Sequence, residues 1–303
     1  MLAVASSPAR AATWPVTHPR ILAHLDLADG QTPEDLAVEP GGAVDVSLSE
    51  ASEVARVSAE GKIQILARLP QAGNCPVFDL PITTGIVRLA DGTLDVVDCD
   101  GTADTGVWQI RAHHAPVQIA RLPADAVPND MALDPRTGYL YVADSLLGVV
   151  WRIPSRGGAA TVWASGPALA PLTFAGANGA YVFRGAVYVS NSDRGTIVRI
   201  PIRADGTAGA IQPLLSGLPG VDNFTVLPGN LILTPLEDAN QVVLVHPGST
   251  PRVLLTAADG LSSPVDVKLG RGTLYVADAA YITNSDPNLL VANFDAGLAG
   301  ATP

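Results

Sequence analysis

Four oxygen-bearing side chains, spread along the chain, have the chemistry to bind a metal ion together. Each stands at the start of a short apolar segment, and they are Glu34, Asn129, Asn178 and Asp222. Two carboxylates and two amides offer only oxygen ligands, which Ca2+ binds in sets of roughly six to eight together with water. None of the four is His or Cys, the usual ligands of zinc. If they meet in space, we expect a divalent cation, Ca2+ first, to offset the repulsion between their carboxylates.

The segments behind these residues have the pattern of short β-strands joined by tight turns. In residues 127–154, VPNDMALDPRTGYLYVADSLLGVVWRIP, a short apolar run ends in a turn containing Pro135 and Gly138. Two further runs rich in aromatic and β-branched residues follow, YLYVAD and VVWRIP. No stretch combines capping residues with the periodicity of an amphipathic helix. The sequence therefore predicts an all-β protein.

The same pattern recurs six times along the chain. The copies begin about 43 to 50 residues apart, at Glu34, Thr84-Gly85, Asn129, Asn178, Asp222 and near Pro264. A period of this size, with four strands per copy, is typical of β-propeller blades. We therefore predict a six-bladed β-propeller with four antiparallel strands per blade. Its innermost strands would line a central channel and gather the polar residues at their starts on one face.

The two ends of the chain complete the predicted ring. The sixth copy stops after its third strand, and RILAHLDL at residues 20–27 is predicted to supply the outermost strand of that blade. Such closure leaves no long unpaired edge. The expected domains are an N-terminal extension, residues 1–19, and one propeller, residues 20–303. The alanine-rich extension is similar to the end of a secretory signal but lacks a basic region and a full apolar core. It favours a secreted or periplasmic protein over a cytoplasmic one.

Composition narrows the expected partners. The chain of 303 residues is 48% hydrophobic, carries a formal net charge of −11 and contains no basic cluster. That charge disfavours nucleic acid and anionic membrane surfaces as partners, and no apolar run is long enough to span a bilayer. We expect a monomer or weak dimer that binds a small molecule. Cys75 and Cys99 either form one disulfide or remain reduced thiols.

Five short motifs, in four of the six copies, give the chain a resemblance to a known family. PEDLAV, PNDMALD, ANGAYV, VDNFTV and GTIVRIPIRADGTA make nearly the whole chain similar to the senescence marker protein/gluconolactonase family, the regucalcin-like propellers. The resemblance implies one divalent ion on the propeller axis, held by Glu34, Asn178 and Asp222. It also implies that Asn129 contacts the water on the ion or the substrate.

The resemblance implies a lactonase-like hydrolase, because members of this family hydrolyse lactones. A bound cation would polarise the ester carbonyl, and water would need a base. Asp222 and Asp130 are the candidates. We favour Asp222, which stands where the family has its ligand and proton acceptor, over Asp130, which is expected to be a supporting residue or a turn cap.

One departure from the family predicts a fairly apolar substrate. Sugar lactonases of the family carry an arginine two residues before the asparagine of the third blade, and this chain has Val127 there. The predicted upper rim is also apolar, and its candidate substrate-binding residues are Asn129, Leu146, Leu172, Phe174 and Tyr281. The alternative for the apolar ones is that they only pack between blades.

Two other classes of function remain open. One is a biosynthetic condensing or cyclising enzyme similar in form to strictosidine synthase, which uses a glutamate base. The other is a propeller that binds a small ligand without catalysis. Absence of a divalent ion would exclude the hydrolase, whereas a bound ion without hydrolysis of any lactone would leave the binding protein, or the condensing enzyme with a structural metal.

Overall fold

The computed structural model describes residues 15–299 and contains six four-stranded antiparallel sheets arranged as a ring. The predicted six-bladed β-propeller is confirmed. Blade 1 contains β2–β5, which are Pro33–Val38, Val44–Leu48, Glu53–Val57 and Ile63–Arg68. Blade 2 contains β6–β9, which are Ile82–Arg88, Leu94–Cys99, Gly106–Ile110 and Val117–Arg121. Blade 3 contains β10–β13, which are Pro128–Asp134, Tyr139–Asp144, Val149–Pro154 and Thr161–Ser165.

The second half of the ring repeats this plan. Blade 4 contains β14–β17, which are Ala177–Phe183, Ala186–Asn191, Thr196–Pro201 and Gln212–Leu215. Blade 5 contains β18–β21, which are Thr225–Leu227, Leu231–Leu236, Gln241–Val245 and Arg252–Leu255. Blade 6 contains β22–β24 and β1, which are Pro264–Gly270, Thr273–Asp278, Asn288–Phe294 and Val16–His24. Within the described chain, helix is limited to short 3-10 turns and one α-helical turn, Ala296–Ala299, and no helix is long and apolar enough to cross a membrane.

The N-terminal strand closes the ring, as predicted, but lies earlier in the sequence than predicted. β1 pairs antiparallel with β24 from Val16 opposite Phe294 to His24 opposite Asn288. The strand thus includes Pro19, which the sequence-based bounds excluded, and its register shifts between Thr17 and Arg20. An outermost strand tolerates proline because one side needs no ladder hydrogen bonds. Of the predicted N-terminal extension, residues 16–19 therefore belong to the propeller, and residues 1–14 lie outside the described residues.

Apolar side chains fill the spaces between neighbouring blades. The cluster between blades 6 and 1 includes Val46 and Val265, and the one between blades 3 and 4 includes Tyr141 and Val189. Because each blade is covered on both faces, its second strand has no solvent side. Every residue of β7 is buried, for example. This explains why these strands are rich in apolar residues on both faces, and why their few polar residues, such as Asp95 and Asp98, are buried too.

The inner strands are irregular where they begin. Each of the inner strands of blades 1 to 4 shifts register at its start, between Pro33 and Leu36, Thr83 and Ile86, Pro128 and Met131, and Ala177 and Ala180. β-Bulges of this kind redirect side chains near functional sites. Three of the four polar residues singled out in the sequence, Glu34, Asn129 and Asn178, lie within these bulges.

The two cysteines form a disulfide, which decides between the two expectations. Cys75, in the connection between blades 1 and 2, bonds to Cys99 at the end of β7, with their Cα atoms 5.0 Å apart. Disulfides persist mainly in oxidising compartments. Export remains a prediction, with this one observation in its favour.

Candidate active site

A cavity of about 360 Å³ opens at the end of the channel where the inner strands begin. All four oxygen-bearing residues singled out in the sequence line it: Glu34, Asn129, Asn178 and Asp222. Three of them lie in bulges of inner strands, and Asp222 lies three residues before β18. The ring therefore brings together side chains from four different blades.

Three oxygens of this group are buried with no hydrogen-bond partner among the described residues. They are Oδ1 of Asn129, Oδ1 of Asn178 and Oδ1 of Asp222. A buried acceptor left unpaired costs about 1–3 kcal/mol. Three such atoms lining one cavity would be satisfied by water or by a ligand bound there.

The amide of Asn178 is held with its oxygen towards the cavity. Ser192 Oγ donates its proton to the carbonyl of Val221 at 2.6 Å, so it can only accept from Asn178. Asn178 Nδ2 accordingly donates to Ser192 Oγ at 2.7 Å. Because this chain of hydrogen bonds fixes which end of the amide is the oxygen, Asn178 is oriented to accept from, or ligate, whatever fills the cavity.

Glu34 is a buried carboxylate whose pKa is shifted by its surroundings. The hydroxyl of Tyr281 donates to its Oε2 at 2.7 Å. Burial raises the pKa of Glu34 to about 8, the bond from Tyr281 lowers it, and the charge of Glu237 raises it. Glu34 is therefore close to a second carboxylate and short of positive charge.

Asp222 is in the same situation. Burial, followed by the charges of Glu34 and Glu237, raises its pKa well above the usual range. A divalent cation among these side chains would offset the repulsion between the carboxylates, and the unpaired oxygens could coordinate it. The residues present therefore fit a divalent cation. The described residues contain no group of three or more His, Cys, Asp or Glu side chains placed to bind a metal ion. The amides of Asn129 and Asn178 would therefore have to supply part of the ligand set.

Asp130 does not line the cavity, although the sequence placed it among the candidate bases. Its Oδ1 accepts from the backbone N–H of Met131 at 2.6 Å, and its Oδ2 accepts from that of Ala180 at 2.8 Å. Asn129 and Asp130 both lie in the bulge at the start of β10, and only Asn129 lines the cavity. Asp130 is buried against backbone N–H groups in the interior of the ring.

Asp130 belongs instead to an inner cluster, which we define as Asp35, Asp130, Asp266 and Lys268. Lys268 Nζ lies 2.7 Å from Asp35 Oδ1 and 2.9 Å from Asp266 Oδ1. Burial would raise the pKa of Asp35, but Lys268 keeps it below its usual value. Asp35 Oδ2 also accepts from Ile86 N of blade 2 at 2.8 Å, so the cluster ties neighbouring blades together.

Two of the four apolar residues predicted to bind substrate line the cavity, and two do not. Phe174 and Tyr281 are part of its wall. Leu146 packs instead against the cluster around the disulfide, and Leu172 is 64% exposed. Asp193 accepts from the backbone N–H of Leu172 and fixes the loop in this conformation. Val127, which stands where the related lactonases have arginine, does line the cavity.

The sequence did not indicate several other lining residues, among them Glu50, Phe78, Leu80 and Glu237. They lie on connections between blades or on loops between second and third strands. In an antiparallel blade whose inner strand starts at the cavity, both kinds of loop return to that same face. The order of the strands is therefore sufficient to predict that these loops lie at the cavity face. It does not predict which of their side chains line the cavity.

Comparison with known proteins shows that this chain shares its fold with several solved structures. No family model and no curated protein matches the sequence. Among solved structures, the chain is similar to a gluconolactonase from Xanthomonas campestris, with 16% identity, a TM-score of 0.66, and coverage of 96% of this chain and 99% of that one. It is also similar to the PQQ-bound aldose sugar dehydrogenase from Streptomyces coelicolor, with 15% identity, a TM-score of 0.69 and coverage of 95% and 100%.

A third similar structure is a catalytically inactive histidine-to-alanine variant of virginiamycin B lyase from Staphylococcus aureus with quinupristin. Its identity is 16%, its TM-score 0.62, and the match covers 88% of this chain and 82% of that one. At these identities the three likenesses establish the propeller fold, and they leave the activity to be argued from the site.

Proposed function

We propose that this protein is a metal-dependent hydrolase of a lactone or a related ester. One observation carries the proposal: the unpaired oxygens of Asn129, Asn178 and Asp222 line the same cavity as the buried carboxylate of Glu34. Glu34, Asn178 and Asp222 would hold a divalent cation, with Ca2+ the best match to an all-oxygen ligand set. Bound there, the ion would polarise the ester carbonyl and stabilise negative charge on it.

The side chains of the site would perform the remaining tasks. Water attacks the carbonyl carbon, the bond from that carbon to the ring oxygen breaks, and the ring oxygen takes up a proton, so that a lactone gives its hydroxy acid. Asp222 accepts the proton that the water loses and returns it to the ring oxygen. Asn129 orients the water or the ester through its amide. Tyr281 holds Glu34 in place through its hydroxyl.

Two of the structural neighbours suggest activities that the cavity does not favour. A histidine is required in virginiamycin B lyase, as the inactive variant shows. None of this chain's five histidines, all within the described range, lines the cavity. The dehydrogenase binds PQQ, a cofactor that carries carboxylates. The described lining residues here include Glu34, Glu50, Asp222 and Glu237 and no Lys, Arg or His, so an anionic cofactor would be repelled. A gluconolactonase-like reaction is the one that matches the oxygen ligands.

A condensing enzyme that uses a glutamate base is the second candidate. It is favoured by Glu34 itself, whose pKa of about 8 suits a base acting near neutral pH. The two candidates differ in their need for metal, because only the hydrolase requires a cation beside Glu34.

The experiment that tests the proposal combines metal removal with a lactone panel. We expect the purified protein to contain one divalent ion, to hydrolyse at least one lactone, and to lose this activity with EDTA and regain it with Ca2+. Glu34→Gln should abolish metal binding, whereas Glu50→Gln, at an exposed position on the cavity wall, should not. Hydrolysis that EDTA leaves unchanged would contradict the proposal. A bound ion with no hydrolysis of any lactone would favour a non-catalytic binding protein.

A further inference from the structure

Two connections between blades meet above the cavity. Residues 69–81 join blade 1 to blade 2, and residues 166–176 join blade 3 to blade 4. They are the longest connections between blades, and they flank the shortest, residues 122–127. Each carries one phenylalanine of the cavity wall. The rings of Phe78 and Phe174 meet edge to face, with centroids 5.8 Å apart and an interplanar angle of 88°.

The first loop is anchored immediately beside its phenylalanine. Cys75 is buried and bonded to Cys99, so the loop is tied to the end of β7. Phe78 N donates to Cys75 O at 3.0 Å, and Cys75 N donates to Leu80 O at 3.0 Å. This tight turn places Phe78 and Leu80 in the wall at a fixed distance from the disulfide. Both cysteines are buried, so the disulfide that holds this loop is shielded from solvent.

The second loop is anchored by hydrogen bonds. The carboxylate of Asp193 accepts from the backbone N–H groups of Leu172 and Thr173, each at 2.7 Å. Asn191 Nδ2 donates to the carbonyls of Ala168 and Ala170, each at 3.1 Å. Phe174 therefore follows a turn that is held at several points, and the two rings are presented by constrained backbone.

The rest of the cavity lining includes four acidic side chains. Glu34, Glu50, Asp222 and Glu237 belong to blades 1 and 5, and no Lys, Arg or His is among the described lining residues. Even with a divalent ion beside Glu34 and Asp222, two carboxylates remain without a basic partner in the cavity. Ile82 and Val127 of blades 2 and 3 pack in the same apolar cluster as Phe78. The cavity wall thus combines an apolar part around the aromatic pair with an acidic part.

We propose that Phe78 and Phe174 determine specificity by binding a flat, apolar and uncharged substituent of the substrate, and that the Cys75–Cys99 disulfide positions Phe78 for this contact. The inference rests on the proposed function, because the substituent is taken to belong to the ester that is hydrolysed. Aromatic edges and faces pack well against flat apolar groups. The acidic part of the cavity wall disfavours any substituent that carries a carboxylate.

The test compares two neutral six-membered lactones, 3,4-dihydrocoumarin, which carries a fused aromatic ring, and δ-valerolactone, which does not. With Ca2+ present, Phe78→Ala and Phe174→Ala should each lower kcat/KM for dihydrocoumarin about tenfold, mainly through KM. For δ-valerolactone the change should stay below about twofold. Val77→Ala, at the exposed neighbour of Phe78, is the control and should change neither. Equal losses on both lactones would overturn the proposal, because the rings would then serve the fold rather than specificity.

The role of the disulfide is tested with Cys75→Ser/Cys99→Ser. It should lose the preference for dihydrocoumarin to about the extent of Phe78→Ala while binding Ca2+ as tightly as the natural protein. If the variant keeps its preference for dihydrocoumarin, the disulfide does not position Phe78. If this variant does not fold, Phe78→Leu, which keeps an apolar side chain at the same anchored position, should still lower the preference severalfold, and an unchanged preference would again overturn the proposal.

Failure of the proposed function is distinguishable from failure of this inference. Without hydrolysis of any lactone, calorimetry can still measure binding of dihydrocoumarin to the protein. Binding that Phe78→Ala weakens and Val77→Ala does not would support the aromatic wall on its own. Binding that neither substitution changes would overturn it.

Discussion

Adjacent residues on the same inner strands of this propeller differ in whether their polar atoms have partners. Asp35 and Asp130, in the inner cluster, accept hydrogen bonds from backbone N–H groups of their own and neighbouring blades. Their immediate neighbours Glu34 and Asn129 face the cavity. There, one oxygen each of Asn129, Asn178 and Asp222 has no partner among the described residues. On β10, one residue thus separates the hydrogen-bonded carboxylate of Asp130 from the unpaired amide oxygen of Asn129.

This difference suggests a structural role for the inner cluster and a binding role for the cavity residues. In the inner cluster, three carboxylates share the single cation Lys268, and burial raises the pKa of Asp130 and Asp266 well above the usual range. Each of these carboxylates nevertheless accepts a hydrogen bond from a backbone N–H group, and these bonds join blade 1 to blade 2 and blade 3 to blade 4. The cavity group has no basic partner, and burial raises the pKa of Glu34 and Asp222. Because such an arrangement destabilises the metal-free fold, we infer that a ligand compensates it.

The largest effect is expected from removing the carboxylate that serves both metal and water. Asp222→Asn should lower kcat/KM for the best lactone by at least about 10³-fold, because a ligand and the proton acceptor are lost together. The folded protein should be at least as stable without metal, since a buried charge disappears. The measurements are steady-state kinetics and thermal unfolding. A loss of activity that merely follows a loss of folded protein would contradict the assignment.

The inner cluster should respond in the opposite way. Lys268→Met leaves Asp35 and Asp266 buried without their cation, which should lower the free energy of unfolding by about 3–5 kcal/mol. Ca2+ affinity should be unchanged, because Lys268 contacts no cavity residue. Urea unfolding and calorimetry measure the two quantities, with Lys62→Met at an exposed lysine as the control. A large drop in Ca2+ affinity with little loss of stability would reverse the roles of the two groups.

The stability of the metal-free protein should depend on pH through the cavity carboxylates. Glu34 has a pKa of about 8 in the folded protein, against an ordinary value of 4.5, so between these pH values the folded state binds more protons than the unfolded state. Stability without metal should therefore fall as pH rises from about 5 to about 8, and Asp222 acts in the same direction. Ca2+ at a hundred times its Kd adds about 2.7 kcal/mol.

Thermal unfolding at several pH values, with EDTA and with Ca2+, measures this dependence. The difference in Tm between the two conditions should grow with pH, and Glu34→Gln should reduce that growth. A difference that shrinks as pH rises would show that the cavity carboxylates are not the groups that bind Ca2+.

The smallest effect concerns the hydroxyl that touches Glu34. Tyr281→Phe removes a hydrogen bond worth about 1 kcal/mol, so Ca2+ affinity should fall about fivefold. The loss should be larger at lower pH, because the bond from Tyr281 helps to keep Glu34 ionised. Ile282→Ala, at the exposed next residue, is the matched control. Equal affinity for both variants would mean that Tyr281 only covers the cavity.

The fold followed from the sequence because its repeat is strong. Turns rich in Gly and Pro recur at blade spacing, and the blade-by-blade apolar runs match strands that are covered on both faces. The start of β1 was missed because Pro19 is unfavourable in an interior strand and acceptable in an outer one. That distinction depends on where the strand lies in the ring, which local sequence does not show.

The site was only partly accessible to sequence. Glu34, Asn129, Asn178 and Asp222 were found because they recur at the starts of copies. Asp130 was a candidate base but was expected rather to support the site or cap a turn, and in the structure it accepts hydrogen bonds from backbone N–H groups. The bulge between Pro128 and Met131 interrupts simple alternation, so the sequence does not show which of the two consecutive polar residues faces the cavity.

The loop residues were harder still to predict. Leu146 and Leu172 lie on loops at the correct face, yet neither is part of the cavity lining, whereas Phe78 and Glu237 are. Loop conformation is set by contacts such as the disulfide and the Asp193 carboxylate, which join parts of the chain that are distant in sequence.

Calorimetric titration of Ca2+ into EDTA-treated protein tests the central claim most directly. We predict one site per chain in the natural protein, severe loss of binding in Asp222→Asn, and full retention in Glu50→Gln, which changes an exposed carboxylate of the same cavity. Absence of binding in the natural protein, or equal binding in Asp222→Asn, would contradict the account.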